Sequence, residues 1–233
     1  MRSDDATVGE RDFVMIGSYH LFSLIIAVSL EVVSSLSVPV WFDSSNGGHV
    51  SLEYHPEQPA RIDACVKALQ QLDGVELIDT TPNPNTLWGD ALHTYAPFTE
   101  KELKHAKEML LKTHDAEMVE NLEGCCRKSR QLRVDEGRDP LGFIGYIDDD
   151  TFLTTESYDV CLRATAAWIR AVDHALQPTN RAAFALTRPP GHHATFTLSN
   201  GFCLLNFAAA AVIHALESNP DIKVSVFDWD VSS

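Results

Sequence analysis

Four short apolar runs, separated by stretches of helical period, limit the folds open to this chain. The runs are VPVWFD (38–43), VELID (75–79), AAFALT (182–187) and KVSVFDWD (223–230). Each has the length and the β-branched or aromatic content of a buried strand. After the first run, Ile62, Cys65, Val66, Leu69 and Leu72 recur at helical spacing, and Gly74 stands where a helix stops. Thr99 with Glu102 forms a capping-box pattern that opens a helix toward Leu111. Further helical patterns cover Ala116–Cys126, Glu156–Leu176 and the alanine-rich Phe202–Leu216. Strands alternating with helices predict an α/β fold with a parallel, doubly wound sheet. In such sheets the working residues gather at the C-terminal ends of strands.

Composition narrows the function classes. A chain of 233 residues, 45% hydrophobic and 22% charged, is neither wholly disordered nor a collagen or a simple coiled coil. Its 33 acidic residues against 18 basic give a net charge of -15, which repels phosphate backbones and anionic lipid. The densest basic stretch (Arg127, Lys128, Arg130 and Arg133) is short, so no direct nucleic acid binding is expected. Five cysteines (Cys65, Cys125, Cys126, Cys161 and Cys203) form no CxxC pair and fit a reducing compartment. Adjacent Cys125 and Cys126 read as two ordinary thiols on one helix.

The N-terminal segment is unusual. Phe13 to Leu30 carries no formal charge, and its centre is LFSLIIAVSL (21–30). That is the lower limit for a bilayer span, diluted by Ser18, His20, Ser23 and Ser29. A secretory signal has an apolar centre of this length, and Ser35-Leu36-Ser37 could serve as a cleavage site. Against that, Asp4, Asp5, Glu10 and Asp12 outnumber Arg2 and Arg11 ahead of it. A targeting peptide, a membrane anchor, an extra buried segment and a start at Met15 stand as alternatives. The expected organisation is an extension over residues 1–37 and a domain over 38–233.

Two loops after strands carry chemistry. In Arg188-Pro189-Pro190-Gly191-His192-His193 the prolines and glycine fix the backbone, so the adjacent imidazoles are held in place. A histidine pair can share acid and base work if nearby carboxylates set its tautomers. Taken bare, a His-His pair also fits a solvated loop. Asp228-Trp229-Asp230 closes the last strand, where two carboxylates can reach one crevice, hold a metal or orient a histidine. Alone it could equally be a pair of solubilising aspartates.

Taken together, these pieces resemble the zinc-dependent histone deacetylase family of the arginase/deacetylase superfamily. RPPGHHA (188–194), GFCLLNFAAAA (201–211) and VFDWDV (226–231) follow in the family's order. HPEQPAR (55–61) looks like its HPE-x-P-x-R element. Asp148-Asp149-Asp150-Thr151 with Ser157 looks like the D-x-D-T region of its class II branch. The resemblance implies hydrolysis of acetyl-lysine amides, with zinc polarising the carbonyl and activating a water. His192 and His193 match the tandem catalytic histidines, and Asp228 the carboxylate that hydrogen-bonds the first of them. Asp230 matches the first zinc ligand. Gly201 and Phe202 match residues lining the acyl-lysine tunnel, and Arg61 an arginine beside the acetate channel. Asn206 is in pattern, while Phe207 departs from the polar residue usual there, for which a packing change is expected. The implied substrate is an acetylated protein, histone or non-histone, with further protein partners. Nuclear, cytoplasmic and organellar locations are compatible with it, the last if residues 1–37 are a targeting peptide.

The sequence departs from the family at its last residues. Where the family continues with a histidine that is the second zinc ligand, this chain has Ser232, and a neutral hydroxyl is a poor substitute for imidazole. The third ligand and the oxyanion tyrosine are not in the sequence. The expectation is a C-terminally truncated, three-layer sheet with one of three zinc ligands and no turnover. An acetylpolyamine-type deacetylase and a non-catalytic interaction module are the alternatives. The family's eight-stranded parallel sheet sets two late strands between those matching 182–187 and 223–230. Without them, the last strand is expected to lack a neighbour, and the strand at 182–187 to expose an apolar edge.

Overall fold

A computed structural model describes residues 13–18, 23–27, 37–44, 48–81, 94–180, 182–228 and 230. Four strands form a parallel core sheet: β3 (Val38–Phe42), β4 (Val75–Asp79), β5 (Thr94–Tyr95) and β8 (Ala182–Leu186), in the order β5-β4-β3-β8. Their residues alternate between two apolar layers, as a sheet covered on both faces requires. Val40, Phe42, Leu77 and Leu186 face α1 (Ala60–Leu69), packing on Ile62 and Val66. Trp41, Ile78, Ala183 and Ala185 face the opposite layer. That layer is built from α2 (Glu100–Thr113), α3 (Ala116–Asp135), α4 (Ser157–Ala175) and α5 (Phe207–Ser218). Small alanines on β8 let α4 approach closely, and the buried Trp168 fills the space beside them.

The local signals act as the residues dictate. Gly74 has φ 77° and leads into β4, while α1 has already ended at Leu69 with Gln70 as its C-cap, short of Leu72. Thr99 accepts from the Glu102 amide while the Glu102 carboxylate accepts from the Thr99 amide, completing the capping box of α2. Two further helices differ from the sequence reading. α3 runs on to Asp135, because nothing from Arg127 onward breaks it until Gly137 at φ 69°. α5 begins only at Phe207: Gly201 and Phe202 both have positive φ, and the Asn206 side chain caps the helix by accepting from the Ala209 amide.

The expected gap in the sheet is not there. β1 (Phe13–Ser18) and β2 (Ser23–Ala27) form an antiparallel pair lying between β8 and β9 (Lys223–Asp228). β2 pairs antiparallel with β8, from Ser23↔Ala185 to Ile26↔Ala182. β1 pairs parallel with β9, from Phe13↔Lys223 to Ser18↔Asp228. The apolar N-terminal segment thus satisfies the backbone edges that β8 and β9 would otherwise present. Ser35 and Leu36 of the candidate cleavage site lie outside the described residues. Among the described residues no helix is long and apolar enough to cross a membrane. A second hairpin, β6 (Phe143–Tyr146) with β7 (Phe152–Thr154), frames the acidic turn Asp148–Asp150.

Candidate active site

β8 and β9 deliver the two site loops at the same end of the sheet. From β8, residues 187–193 lie over the start of α5. A side chain at Gly191 would meet the Leu205 carbonyl oxygen at 2.7 Å and the Phe207 ring at 3.1 Å, so glycine alone fits. Phe207, the residue out of family pattern, is fully buried in this contact. The result aims His192 at the end of β9.

There, His192 Nδ1 donates to Asp228 Oδ2 over 2.7 Å, and Nε2 lies 3.2 Å from Asp230 Oδ2. The Asp230 amide donates to Asp228 Oδ1 at 3.2 Å, fixing the spacing of the two carboxylates. With Nδ1 directed at Asp228, the opposite ring nitrogen of His192 is directed at the Asp230 carboxylate. The His193 ring lies 4.0 Å from that of His192 at an interplanar angle of 45°. One ligand atom each from His192, His193 and Asp230 lie within 4.8 Å of one another. Such a nitrogen and oxygen donor set suits zinc or a similar divalent ion. The carboxylate of Asp230 is sheltered, while the Asp228 side chain is 40% exposed.

Gly201 and Phe202 flank the second histidine. A side chain at Gly201, whose φ is 53°, would strike His193 Cδ2 at 2.8 Å. Phe202 holds φ 67°, a conformation costly for a phenylalanine; its amide donates to Thr151 Oγ1, and its ring meets His55 edge-on at 4.8 Å. Thr151 is itself tied to Asp148, so the acidic turn supports the aromatic wall. Cys203 behind them, its thiol pushed up to about 12 by burial, accepts from the His193 amide.

Arg61 does not join this group. It belongs to a buried ionic cluster in which Glu57 receives Arg188 through Nε at 2.8 Å and Nη2 at 2.7 Å, with Arg61 Nη1 at 3.5 Å. Burial lowers the Arg61 pKa, partly offset by Glu57. Arg188 Nη2 also donates to the His49 carbonyl oxygen; the His49 ring stacks on Phe152 and hydrogen-bonds Ser157. Burial, then Arg188, pushes the His49 pKa well down, and its Nε2 lies 3.6 Å from Glu57 Oε2. Sequence reasoning gave no role to Glu57, His49 or Arg188. A charged residue immediately before Pro-Pro-Gly-His-His was the available signal, but nothing in the sequence pairs it with Glu57.

A family model described as the histone deacetylase domain matches residues 55–232. An uncharacterised protein of Synechocystis sp. is 35% identical over 178 residues, covering 76% of this chain and 48% of that protein. Histone deacetylase 6 of Caenorhabditis elegans is 28% identical over 197 residues, covering 82% of this chain and 18% of its own length. The polyamine deacetylase HDAC10 of Danio rerio is 32% identical over 83 residues, covering 36% of this chain and 12% of its own. The chain spans less than half the length of these relatives. The crystal structure of the HDA15 HD domain shares the fold, with TM-score 0.54 and 24% identity, over 79% of this chain and 45% of that one.

Proposed function

Because the chain belongs to the histone deacetylase family, a family of metal-dependent deacetylases, we propose that its residues serve hydrolysis of acetyl-lysine amides, with zinc held at Asp230. The observation that carries this reading is the pair of contacts of His192, Nδ1 to Asp228 and Nε2 to Asp230. When bound, the metal supplies Lewis-acid polarisation of the amide carbonyl and lowers the pKa of a coordinated water.

The remaining work falls to this chain's own groups. Asp228 fixes the His192 tautomer and stabilises positive charge on that ring. His193, backed by Gly201 and Cys203, takes and returns the proton that moves between water and the leaving amine. Phe202 supplies the apolar wall that grips an acyl-lysine stem and excludes water. Arg61, set among Glu57 and Arg188, serves the departing acetate.

For the polypeptide of these 233 residues we propose weak metal retention and no turnover. Support comes from Ser232, which stands where the family resemblance puts a histidine ligand. The test is competition dialysis against zinc, with an acetyl-lysine peptide assayed in parallel. Asp230→Asn should abolish what zinc binding there is, and Ser232→His should tighten it. Equal zinc binding by wild type and Asp230→Asn would overturn the assignment of Asp230. Turnover by the unmodified polypeptide would overturn its proposed inactivity; His193→Ala should then reduce the rate by about 10²–10⁴-fold.

A further inference from the structure

The corner between α2 and α3 sets a histidine against the loop that follows His193. His114 closes α2, its amide donating to the Leu110 carbonyl oxygen, and Asp115 opens α3 by accepting from the Glu117 amide. Buried Met109, Leu110, Val119 and Leu122 pin the two helices, so the corner has little freedom. His114 itself is 2% exposed. Its two ring nitrogens face two different stretches of backbone: Nδ1 lies 2.7 Å from the Thr195 carbonyl oxygen, and Nε2 lies 2.8 Å from the Asn206 amide nitrogen. A carbonyl oxygen only accepts and an amide only donates, so the proton sits on Nδ1 and the lone pair on Nε2. Only the uncharged ring in that tautomer serves both partners. Burial lowers the His114 pKa, partly offset by the backbone contacts, in the direction this arrangement requires.

Thr195 and Asn206 are the two ends of the loop that walls the site. Thr195 follows closely on His193, and Asn206 is the N-cap of α5. Between them the chain carries Gly201 against His193 and Phe202 against Thr151. Asn200 and Cys203 exchange both backbone hydrogen bonds around that turn, and the Cys203 thiol accepts from the His193 amide. Residues 195–198 are exposed, so hydrogen bonds rather than apolar burial hold this stretch. The Asp115 amide donates to the Phe196 carbonyl oxygen, and Asn206 Nδ2 donates to the Ala194 carbonyl oxygen, which draws the two ends together over the corner. A displacement of about 1 Å at a reacting group costs about 10²-fold in rate, so what anchors this loop matters to His193.

We propose that His114 is a positioning residue of this site: its Nδ1–H fixes where the chain leaves His193, and its Nε2 fixes where the chain enters α5. It acts through His193 and the Gly201–Phe202 turn rather than on the reacting atoms. The proposal rests on the reading of His193 as the group that moves the proton.

Two conservative variants separate the two bonds. In His114→Asn the new amide group reaches the Nδ1 position and can still donate to Thr195. In His114→Gln the new carbonyl oxygen reaches the Nε2 position and can still accept from Asn206. Each variant of the 233-residue protein is compared with wild type at one pH. Deuterium exchange is read at the Asn206 amide, proton–carbon NMR at the His193 imidazole, and the urea midpoint serves as the fold control. His114→Asn should speed Asn206 exchange about tenfold and leave the His193 resonances in place. His114→Gln should do the reverse, shifting His193 while Asn206 stays protected. Each variant tests one bond, so either one alone is decisive if the other misfolds. Both readouts moving together in a folded variant, as general loosening would give, overturns the proposal, and so does neither moving. Zinc added to the wild type reads the site separately. If the His193 resonances ignore saturating zinc yet shift in His114→Gln, the positioning role stands and the metal-site reading falls. If they respond to zinc and are unmoved by His114→Gln, the reading stands and the positioning role falls.

Discussion

Glu57 is the residue whose loss should be felt most in stability. The residue is 1% exposed, and its carboxylate receives two hydrogen bonds from Arg188, itself 5% exposed, with Arg61 close by. At 2.7 Å and an effective dielectric of about 20, the pair attracts by about 6 kcal/mol. Desolvating two ions costs several kcal/mol each, so the intact pair is close to neutral in net stability. Glu57→Gln keeps the shape but leaves two guanidinium groups facing an amide. The expected cost is about 3–5 kcal/mol, the range for breaking a buried pair from one side. For a chain of this size that lowers Tm by about 6–20 °C. Replacing both partners, Glu57→Leu with Arg188→Met, removes the desolvation burden and should recover most of the loss; Arg61, partly exposed, can turn to solvent. Urea denaturation followed by the fluorescence of buried Trp41 and Trp168 measures all three proteins. A Glu57→Gln midpoint indistinguishable from wild type, or a double variant less stable than the single, would refute this reasoning.

Acid should act in two windows. His49, His114 and His174 all have pKa values lowered mainly by burial, so the unfolded chain binds protons that the fold refuses, and stability falls as pH drops below about 6.5. Glu102, drawn down to about 2 chiefly by its hydrogen bond from Arg170, adds stability above its unfolded value that is lost between about pH 4.5 and 2. Glu102 is partly exposed, so this second contribution is screened by salt; Glu102→Gln should flatten that part of a urea-midpoint profile against pH and leave the first part unchanged. Deleting residues 13–27 should free the amides of β9 to exchange with deuterium at rates near those of an open chain. Unchanged protection at Val224–Asp228 would mean that β1 does not hold that strand. Gly201→Ala should push His193 from its place, visible as a shifted imidazole resonance in NMR; an unshifted spectrum would count against the close contact.

Legibility in the sequence followed the range of the cause. β3, β4 and β8 are short apolar runs covered on both faces, and α2 opens on its own capping box, so near neighbours in sequence suffice to read them. His192, Asp228 and Asp230 stood out because each sits at the end of a strand in a rigid or acidic loop. The β1–β2 pair did not, since an uncharged run of this length reads as a signal, a span or an extra buried segment, with nothing nearby to choose between them. Its strand character depends on β8 and β9, far along the chain. The Glu57–Arg188 pair joins residues 131 apart and needs the fold before it can be seen.

The placement of β1 also bears on how the molecule is made. Its partner β9 is about 210 residues away, so this ladder forms only after a very long loop has closed. Asp228 and Asp230 ride on β9 and its exit, while His192 rides on β8. Helices α2, α4 and α5 close shorter loops on one another, 68 residues for Arg170–Glu102 and 105 for Lys112–Glu217, and can assemble first, leaving the acidic half of the site to arrive last. Refolding should therefore show two kinetic phases: a fast one that buries Trp168, and a slow one, set by strand insertion, in which His192 first meets its carboxylates.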